Sequence, residues 1–386
     1  MNSWNNWFNT QDFKRFYLNS RLLSGAGLHK NAFSYAPESF IRVVVCDRFY
    51  SGTLSDSLDS EYLIVVSEEP RVEQVRKAVD EMTDRPLNIV SIGGGSTIDF
   101  AKAIIGFRTF PEATRIGYDL PREKFESNYF SKDFHVAIPT TISSGSESSR
   151  YMLLFDEHAK VAHRHWILTP NLSILDPTLL KSNTNISLGR QLLDSWVHAF
   201  ETYISTHESS WLNSMSFNWV NIKIESVLHK LLMDVSPTLD ELNELQFISY
   251  LNGILISHTR TGALHTVGES IASLGSKVSH PLSLFIASKN YDHLTPLNDS
   301  NFSRRPDLGN VFWKDTINNF SAFGDFFTDK VEYLSDSSVQ EFEVFCDRVL
   351  SDKVLWEKEH PVQVDAQVLQ EYLELTYHDF LKLSRH

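Results

Sequence analysis

The sequence predicts an α/β domain built on a parallel sheet, followed by an all-α domain. In the first half, short β-branched runs alternate with amphipathic helical patterns, and after Pro177 strand-like runs become scarce while long helical patterns dominate. The 386 residues are too many for one ordinary core, so two domains are expected. The change in pattern places the boundary near residues 178–188 and predicts domains of residues 1–182 and 183–386.

The predicted strands of the first domain are apolar over most of their length, as is typical of a parallel sheet covered on both faces. In chain order they are IRVVVCD (41–47), YLIVVSEEP (62–70), LNIVSIGGGS (87–96), FHVAIPTT (134–141) and NLSILDP (171–177). RVEQVRKAVDEM (71–82) is predicted to be a helix because its valines fall on one helical stripe. TIDFAKAI, which follows the glycines, is predicted to be another.

The second domain is predicted to be helical throughout. Its apolar residues repeat at helical spacing over the segments 188–200, 211–233 and 242–256. Two prolines in LTPLNDSNFSRRPD (294–307) predict a long loop between helices. The aromatic N-terminal segment MNSWNNWFNTQDFKRFY is expected to pack, at the subunit contact of a homodimer if one forms.

Charge and cysteine content limit the partners and the compartment. Lys and Arg total 35 against 49 Asp and Glu, and the net charge of -14 repels nucleic acid and anionic membrane. A small-molecule substrate is therefore expected. The only cysteines, Cys46 and Cys346, do not make a disulfide framework, and no segment has the length and apolarity of a signal peptide or membrane span. These features predict a cytoplasmic protein.

Four residues form a candidate metal site. Asp194 and His198 stand at i, i+4, which places a carboxylate and an imidazole on one face of a helix. His265 and His280 bracket HTVGESIASLGSKVSH, fifteen residues apart. One carboxylate and three imidazoles suit a single divalent ion, Fe²⁺ or Zn²⁺. The alternative is a hydrogen-bonded Asp–His helix pair, and chance spacings exist among 15 histidines.

Two segments and one acid are candidates for binding a dinucleotide. Glycines 93–95 and Ser96 lie between a strand and a helix, where backbone N–H groups and the helix dipole favour a pyrophosphate. The segment is not GxGxxG, and a tight turn is the alternative. IPTTISSGSESSR (138–150) could hydrogen-bond a nicotinamide amide, ribose or phosphate, or form a serine-rich turn. Asp47, at a strand end, could accept hydrogen bonds from a ribose diol or be a solvated loop acid.

Together these segments resemble the iron-containing, or group III, alcohol dehydrogenases. GGGSTIDFAKAI, IPTTISSGSESSR, ILDP, DSWVHAFETYIS and the segment from His265 to His280 occur in the family's order. The resemblance spans residues 20–285. It implies a dehydroquinate synthase-like fold, in which a nicotinamide cofactor and a metal ion lie in the cleft between an N-terminal dinucleotide-binding α/β domain and a C-terminal helical domain.

The resemblance also implies roles for individual residues. The pyrophosphate would lie on Gly94, Gly95 and Ser96, supported by Asp99 and Lys102. Further cofactor contacts are implied for Thr140, Thr141, Ser144 and Lys160. Asp47 would contact the adenosine ribose and favour NAD(H) over NADP(H), because a carboxylate repels a 2′-phosphate. The metal ligands would be Asp194, His198, His265 and His280.

Two departures from the family pattern concern the second domain. Glu269 stands where the family usually has a second histidine, and we predict that it acts with His265 on the substrate side of the site. His280 lies fifteen residues after His265 rather than fourteen, and Pro281 follows where glycine is common. Within the family, SEEPRVEQV and TRTGALHTVGESIAS look most similar to the enzymes that oxidise 3-deoxy-manno-octulosonate and to the phosphonoacetaldehyde reductases.

The resemblance implies a metal-dependent, NAD(P)-linked alcohol dehydrogenase or aldehyde reductase. Its substrate would be a small polar alcohol or aldehyde, such as a sugar acid, whose oxygen the metal polarises as a Lewis acid. Two alternatives remain open at this point. One is a sugar-phosphate cyclase or lyase of the dehydroquinate synthase type, which uses bound NAD without net turnover. The other is a non-catalytic relative.

Overall fold

The computed structural model shows the predicted α/β and helical halves. It describes residues 20–52, 58–67, 69–111, 131–155, 160–205, 211–272, 278–294, 323–327, 339–351 and 366–384. The aromatic N-terminal segment, most of the predicted loop at 294–307 and Glu68 lie outside these ranges. Within the described residues no helix is both long enough and apolar enough to cross a membrane.

A parallel sheet forms the centre of the first half. Its strands are β1 (Arg21–Ser24), β2 (Ile41–Asp47), β3 (Tyr62–Val66), β4 (Leu87–Gly93), β5 (Phe134–Pro139) and β8 (Leu172–Leu175). They lie in the order β1-β8-β5-β4-β2-β3, and every pair is parallel. Between β5 and β8 the chain forms an antiparallel hairpin of β6 (Tyr151–Phe155) and β7 (Lys160–Arg164).

The strand predictions were right in place; the strand at 41–47 was also right in extent, while the other four were predicted too long. β3 ends at Val66, before Pro70, which cannot donate a ladder hydrogen bond. Gly95 and Ser96 begin a helix instead of extending β4. β1 and the β6–β7 hairpin were not predicted. β1 has only four residues at the sheet edge, which is too short for a visible period.

Both faces of the sheet are covered, as near-continuous apolar strands require. On one face, Val43 and Val45 of β2 pack with helices α1 (Val72–Asp80) and α2 (Gly95–Thr109). On the other, Val44 and Cys46 pack with residues of β4, β5 and β8 and with the 3₁₀ segment Leu28–Tyr35. Because the strands are parallel, the carboxyl ends of β2, β4 and β5 share one edge, where ligands bind in such sheets.

The second half is helical in its described parts. Its helices are α3 (Asn185–Ile204), α4 (Trp211–Leu232), α5 (Leu239–Thr259), α6 (Ala263–Ala272), α7 (His280–Lys289), α8 (Tyr291–Leu294), α9 (Val339–Ser351) and α10 (Ala366–Ser384). They surround one large apolar core that contains Trp196, Phe200 and Tyr372. The parallel sheet and this helical half confirm the predicted fold class. The domain boundary near 178–188 stays a prediction.

Side-chain caps fix where two site-bearing helices begin. Thr184 accepts a hydrogen bond from the Ser187 N–H at the start of α3. Thr238 and Glu241 form a reciprocal capping box at the start of α5. Each cap satisfies donors that the first helical turn leaves unpaired, and such a cap is worth about 1 kcal/mol.

Candidate metal and cofactor site

One stripe of α3 carries three buried ionisable residues. Asp194, His198 and Glu201 stand at i, i+4 and i+7, so they lie along one face. None is more than 5% exposed to solvent. Three ionisable side chains on a buried face require partners of their own, because an isolated charge in an apolar interior is very costly.

The partners of α3 are two histidines from α6 and α7. Nε2 of His265 lies 3.4 Å from Oδ1 of Asp194, and Nε2 of His280 lies 3.7 Å from the same oxygen. Nδ1 of His198 lies 3.3 Å from it. A carboxylate oxygen thus stands at the centre of three imidazoles. Asp194, His198 and His265 each offer one ligand atom within 4.8 Å of the others.

Two atoms at the centre of this cluster are buried without a hydrogen-bond partner among the described residues. They are Oδ1 of Asp194 and Nε2 of His265. Buried polar atoms in proteins are nearly always satisfied, so an exception calls for an explanation. One carboxylate oxygen and imidazole nitrogens are ligands that Fe²⁺ and Zn²⁺ accept. The residues therefore fit the divalent ion that the sequence pattern indicated.

Glu201, which the sequence analysis missed, holds His265 in place. Its Oε2 lies 2.7 Å from Nδ1 of His265. The carboxylate also accepts backbone N–H groups of Gly262 and Leu264, both at 2.7 Å, and of His265 at 3.2 Å. Histidines that bind metals commonly donate their second ring nitrogen in this way. The i, i+4, i+7 spacing with Asp194 and His198 was the signal that could have revealed it.

The charges of the cluster shift its ionisation. Burial disfavours the charged form of Asp194, but the surrounding histidines hold its pKa below the ordinary value. Burial lowers the pKa of His198 to about 4. Burial also opposes a charge on His265, but Glu201 and Asp194 outweigh it and raise its pKa to about 10. A metal ion bound to His265 would take the place of the proton that these two carboxylates stabilise.

The structure explains why Pro281 follows His280. His280 is the first residue of α7, so Pro281 falls in the first turn, where its missing N–H breaks no helical hydrogen bond. The side chain of His280 is 29% exposed, against 3% for His265. His280 therefore reaches Asp194 from the open side of the cluster, as the start of a helix rather than its interior.

The glycine-rich loop places a helix N-terminus opposite the hydroxyl-rich loop. Gly94 caps α2 and Gly95 is its first residue. A Cβ added at Gly95 would stand 2.9 Å from Oγ of Ser144. Ser96 Oγ donates to Oε2 of Glu69 at 3.0 Å. A side chain at position 95 would therefore displace Ser144, and glycine leaves the backbone of this residue open to the cleft that it lines.

The hydroxyl-rich loop connects the cofactor side to the metal side. Ser146 Oγ donates to Oδ1 of Asp99 on α2, at 2.5 Å. At its other end, the Ile142 carbonyl accepts from Ser195 Oγ of α3 at 2.5 Å. The Ser143 carbonyl lies 3.2 Å from Nδ1 of His198. A shift of this loop would thus reach both halves of the site.

A buried lysine of α2 forms hydrogen bonds at the end of the hydroxyl-rich loop. Lys102 is fully buried, and Nζ donates to the Tyr151 carbonyl at 2.7 Å and to Ser149 Oγ at 3.2 Å. Oδ1 of Asp99 lies 3.7 Å away. Burial lowers the pKa of Lys102 to about 8 and raises that of nearby Glu147 to about 7. These groups tie α2 to the loop and do not reach the metal cluster.

The other predicted cofactor residues take different positions. The backbone N–H of Thr140 donates to the Gly93 carbonyl at 3.0 Å. Thr141 packs against Gly94, and a Cβ built on Gly94 would lie 3.3 Å from Cγ2 of Thr141. Asp47 uses Oδ1 to accept the N–H groups of Phe49 and Tyr50, at 3.0 and 3.2 Å. Burial raises the Asp47 pKa. The side chain of Lys160 lies outside the described part of the chain.

One cleft of about 410 Å³ joins the glycine-rich loop, the hydroxyl-rich loop and the metal cluster, and Asp47, Thr140 and Thr141 are not among its lining residues. It is lined on one side by Gly95, Ser96 and Ser144 and on the other by the metal cluster and Glu269. Arg260 also lines it, at the end of α5, with φ 73° and ψ 172°. That backbone region is almost confined to glycine, and a side chain there costs about 1–3 kcal/mol.

Comparison with known proteins agrees with this architecture. Residues 19–177 match the sequence profile of the iron-containing alcohol dehydrogenases. The fold matches the iron-containing alcohol dehydrogenase of Thermococcus thioreducens with a TM-score of 0.76, over 95% of this chain and 100% of that one, at 21% identity.

Residues 19–177 are thus similar to the iron-containing alcohol dehydrogenases, and the fold is that of the compared structure.

Two curated relatives align over part of their length. Aldehyde-alcohol dehydrogenase 2 of Entamoeba histolytica is 30% identical over 183 residues, which are 45% of this chain and 21% of that protein. A 1-propanol dehydrogenase of Citrobacter freundii is 25% identical over 270 residues, 67% of this chain and 67% of that enzyme. The chain thus spans from about a fifth to two-thirds of these two relatives.

The profile of the iron-containing alcohol dehydrogenases ends before α3 begins, at residue 177. It covers the glycine-rich and hydroxyl-rich loops, while Asp194, His198, His265 and His280 all follow it. The case for the metal cluster therefore comes from its own geometry, above all from the unsatisfied atoms of Asp194 and His265.

Proposed function

We propose that the chain is a metal-dependent, nicotinamide-linked dehydrogenase that interconverts a small polar alcohol and its aldehyde. The single observation that carries this proposal is the buried carboxylate–imidazole cluster on the wall of the same cleft as the glycine-rich loop. A dinucleotide on the loop and a substrate oxygen at the cluster would share that cleft. Hydride transfer needs this juxtaposition.

In the proposed reaction each part of the cleft has a separate task. Gly95 and Ser96 hold the pyrophosphate at the start of α2. Asp194, His198, His265 and His280 hold the divalent ion, which supplies a Lewis acid for the substrate oxygen when bound. Glu201 fixes the ring of His265, and Glu269 on the next turn of α6 faces the substrate. The nicotinamide cofactor supplies or accepts the hydride.

The test combines metal analysis with steady-state NADH absorbance. The purified chain is assayed with a panel of aldehydes and sugar acids, with NADH or NAD and added Fe²⁺, Zn²⁺ or Co²⁺. We expect about one metal ion per chain and a continuous change in absorbance that depends on it. A product formed with no net NADH change would instead indicate bound NAD that is regenerated in each cycle. Absence of bound metal and of turnover would contradict the proposal.

Asp47 is proposed to favour NAD(H) over NADP(H). Replacing Asp47 with asparagine keeps an oxygen for the N–H groups of Phe49 and Tyr50 but removes the charge that would repel a 2′-phosphate. We expect the ratio of kcat/KM for NADPH to that for NADH to rise by about tenfold, the scale of one charged contact. A wild type that prefers NADPH, or an unchanged ratio in the variant, would remove Asp47 from the ribose site.

Glu269 is proposed to contact the substrate without binding the metal. It lies on α6, one turn after His265, half-buried in the cleft wall. Replacing it with glutamine keeps its shape, so metal content should stay while kcat/KM falls by about 1–3 kcal/mol of transition-state stabilisation. Glu244→Gln, on the exposed Lys223–Glu244 pair, is the control and should change neither quantity. Loss of metal would make Glu269 a ligand.

The homodimer, the cytoplasmic location and the substrate class in finer detail stay predictions. The choice between iron and zinc also stays open to metal analysis, because the same donor set accepts both.

A further inference from the structure

We propose that Arg260 binds an anionic group of the substrate, so that the enzyme acts on alcohols or aldehydes carrying a carboxylate or a phosphate-type group. The inference rests on the proposed function, since it describes the substrate end of the same cleft. Arg260 directly follows the last residue of α5 and lines the cleft five residues before His265. Its neighbour Thr261 lines the same wall and adds a hydroxyl.

The backbone at Arg260 is the first argument. Arg260 and Asp234 are the two non-glycine residues with positive φ within the described ranges. The turn itself is fixed by backbone groups. The Arg260 N–H donates to the Ile256 carbonyl at 2.8 Å, and the Arg260 carbonyl accepts from Thr259 Oγ1 at 3.1 Å. Glycine would make the same two contacts without strain, so the turn does not explain an arginine.

The turn at Arg260 connects α5 to α6, the helix that carries His265 of the metal cluster. Two residues after Arg260, the N–H of Gly262 donates to Glu201 at 2.7 Å, and the His265 ring follows. The strained residue is therefore held between two anchored segments, at the end of α5 and at Glu201. Such over-determined strain clusters at functional sites. It places the base of a long cationic side chain beside the candidate metal centre.

The charge of the cleft is the second argument. The described lining residues include the carboxylates of Glu69, Asp99, Asp194 and Glu269. Arg260 is the one lysine or arginine among them. The bound ion and the histidines of the cluster face the substrate oxygen, so Arg260 is the lining cation that can offset these carboxylates at the other end of an anionic substrate.

The chemistry of the side chain supplies the third argument. A guanidinium presents donors in a planar fork that matches a carboxylate or phosphate in two parallel hydrogen bonds, and it stays charged at any physiological pH. Lysine offers a point charge without the fork. Substrates with such a group at one end and a carbinol or carbonyl carbon at the other would be oriented by both Arg260 and the metal cluster.

The test measures anion binding separately from turnover. The metal-loaded chain with NADH is titrated calorimetrically with phosphonoacetate and succinate, and with neutral succinamide. The variants are Arg260→Gly, which relieves the backbone strain, Arg260→Lys, and the control Asp234→Gly, which relieves strain at an exposed residue at the end of α4. NADH affinity and thermal melting are measured for each.

We expect the wild type to bind at least one anion and not succinamide. Arg260→Gly should weaken that binding by about ten- to a hundredfold, with unchanged NADH affinity and no loss of melting temperature. Arg260→Lys should lie between, and Asp234→Gly should match the wild type. Anion binding that is absent in the wild type, or equal in Arg260→Gly, would overturn the inference. A matching loss of NADH affinity would also overturn it, since the guanidinium would then serve the cofactor.

Turnover separates this inference from the proposed function. The ratio of kcat/KM for 4-oxobutanoate to that for butanal should fall by about tenfold or more in Arg260→Gly. Turnover of neutral aldehydes with a ratio that the variant leaves unchanged would keep the proposed function and reject the inference. Anion binding that depends on Arg260 without any turnover would reject the proposed function alone.

Discussion

Replacing His265 with alanine should remove the bound metal and nearly all turnover. The change deletes one buried ligand and leaves the Glu201 carboxylate without the imidazole 2.7 Å away. Loss of a hydrogen-bond partner to a ligand alone lowers metal affinity or activity by about 10–100-fold, so loss of the ligand should exceed that range. Glu201→Gln should fall within it. Elemental analysis and NADH turnover on the same preparations decide both.

The matched control is His29→Ala. Nδ1 of His29 lies 2.6 Å from Oδ2 of Asp176, so this is a second buried histidine–carboxylate pair, between the 3₁₀ segment Leu28–Tyr35 and the end of β8. Its loss should lower stability, because Asp176 keeps a buried charge, but it should leave metal content near one per chain. Full metal occupancy in His265→Ala would show that His265 is structural. Equal metal loss in both variants would indicate unfolding instead.

Replacing Gly95 with valine should abolish dinucleotide binding while the fold persists. A Cβ at this position already stands 2.9 Å from Ser144 Oγ and 3.0 Å from its Cβ, and valine adds two methyl groups beyond it. The side chain would enter the space between the two loops where the pyrophosphate is proposed to lie. The branched side chain would occupy volume that the bound pyrophosphate needs, so NADH binding should no longer be detectable.

Gly52→Val is the control for that change. No atom lies within 4 Å of a Cβ built on Gly52, so the larger side chain meets no obstacle there. Fluorescence titration with NADH and the free energy of unfolding are measured for both variants. NADH binding by Gly95→Val at wild-type strength would remove the glycine-rich loop from the cofactor site. A large loss of unfolding free energy confined to Gly95→Val would show that position 95 supports the fold instead.

Local sequence patterns predicted those features that depend on a single helix or strand. The period of the apolar residues predicted the central strands and α3 to α5, because burial on one or both faces imposes that period. The pair Asp194 and His198 was visible because four residues make about one helical turn. The same spacing placed Glu269 on the face of His265, and the observed α6 bears that geometry out.

Contacts between distant segments were invisible to the same reasoning. Glu201 fits the α3 stripe but acquires its partners only when Gly262 and His265 fold against it, 61 and 64 residues later. In the sequence nothing distinguishes Arg260 from an ordinary surface residue. The structure shows that Arg260 has a positive φ in the turn after α5. The position of His280 at a helix start could not be read from its altered spacing alone, because helix ends depend on packing.

The sequence by itself determined the fold class of this protein, the order of its two halves and the residue types that suit a metal and a dinucleotide. Periodicity and residue chemistry are local properties, so they can be recognised in the amino-acid sequence without the fold. Only the tertiary structure decided that Asp194 stands among three imidazoles and that the hydroxyl-rich loop contacts both this cluster and the helix that follows the glycine-rich loop. It alone placed a strained arginine in the cleft. Those facts depend on distances between segments that are far apart in the chain. Helix packing and the pairing of buried charges determine these distances.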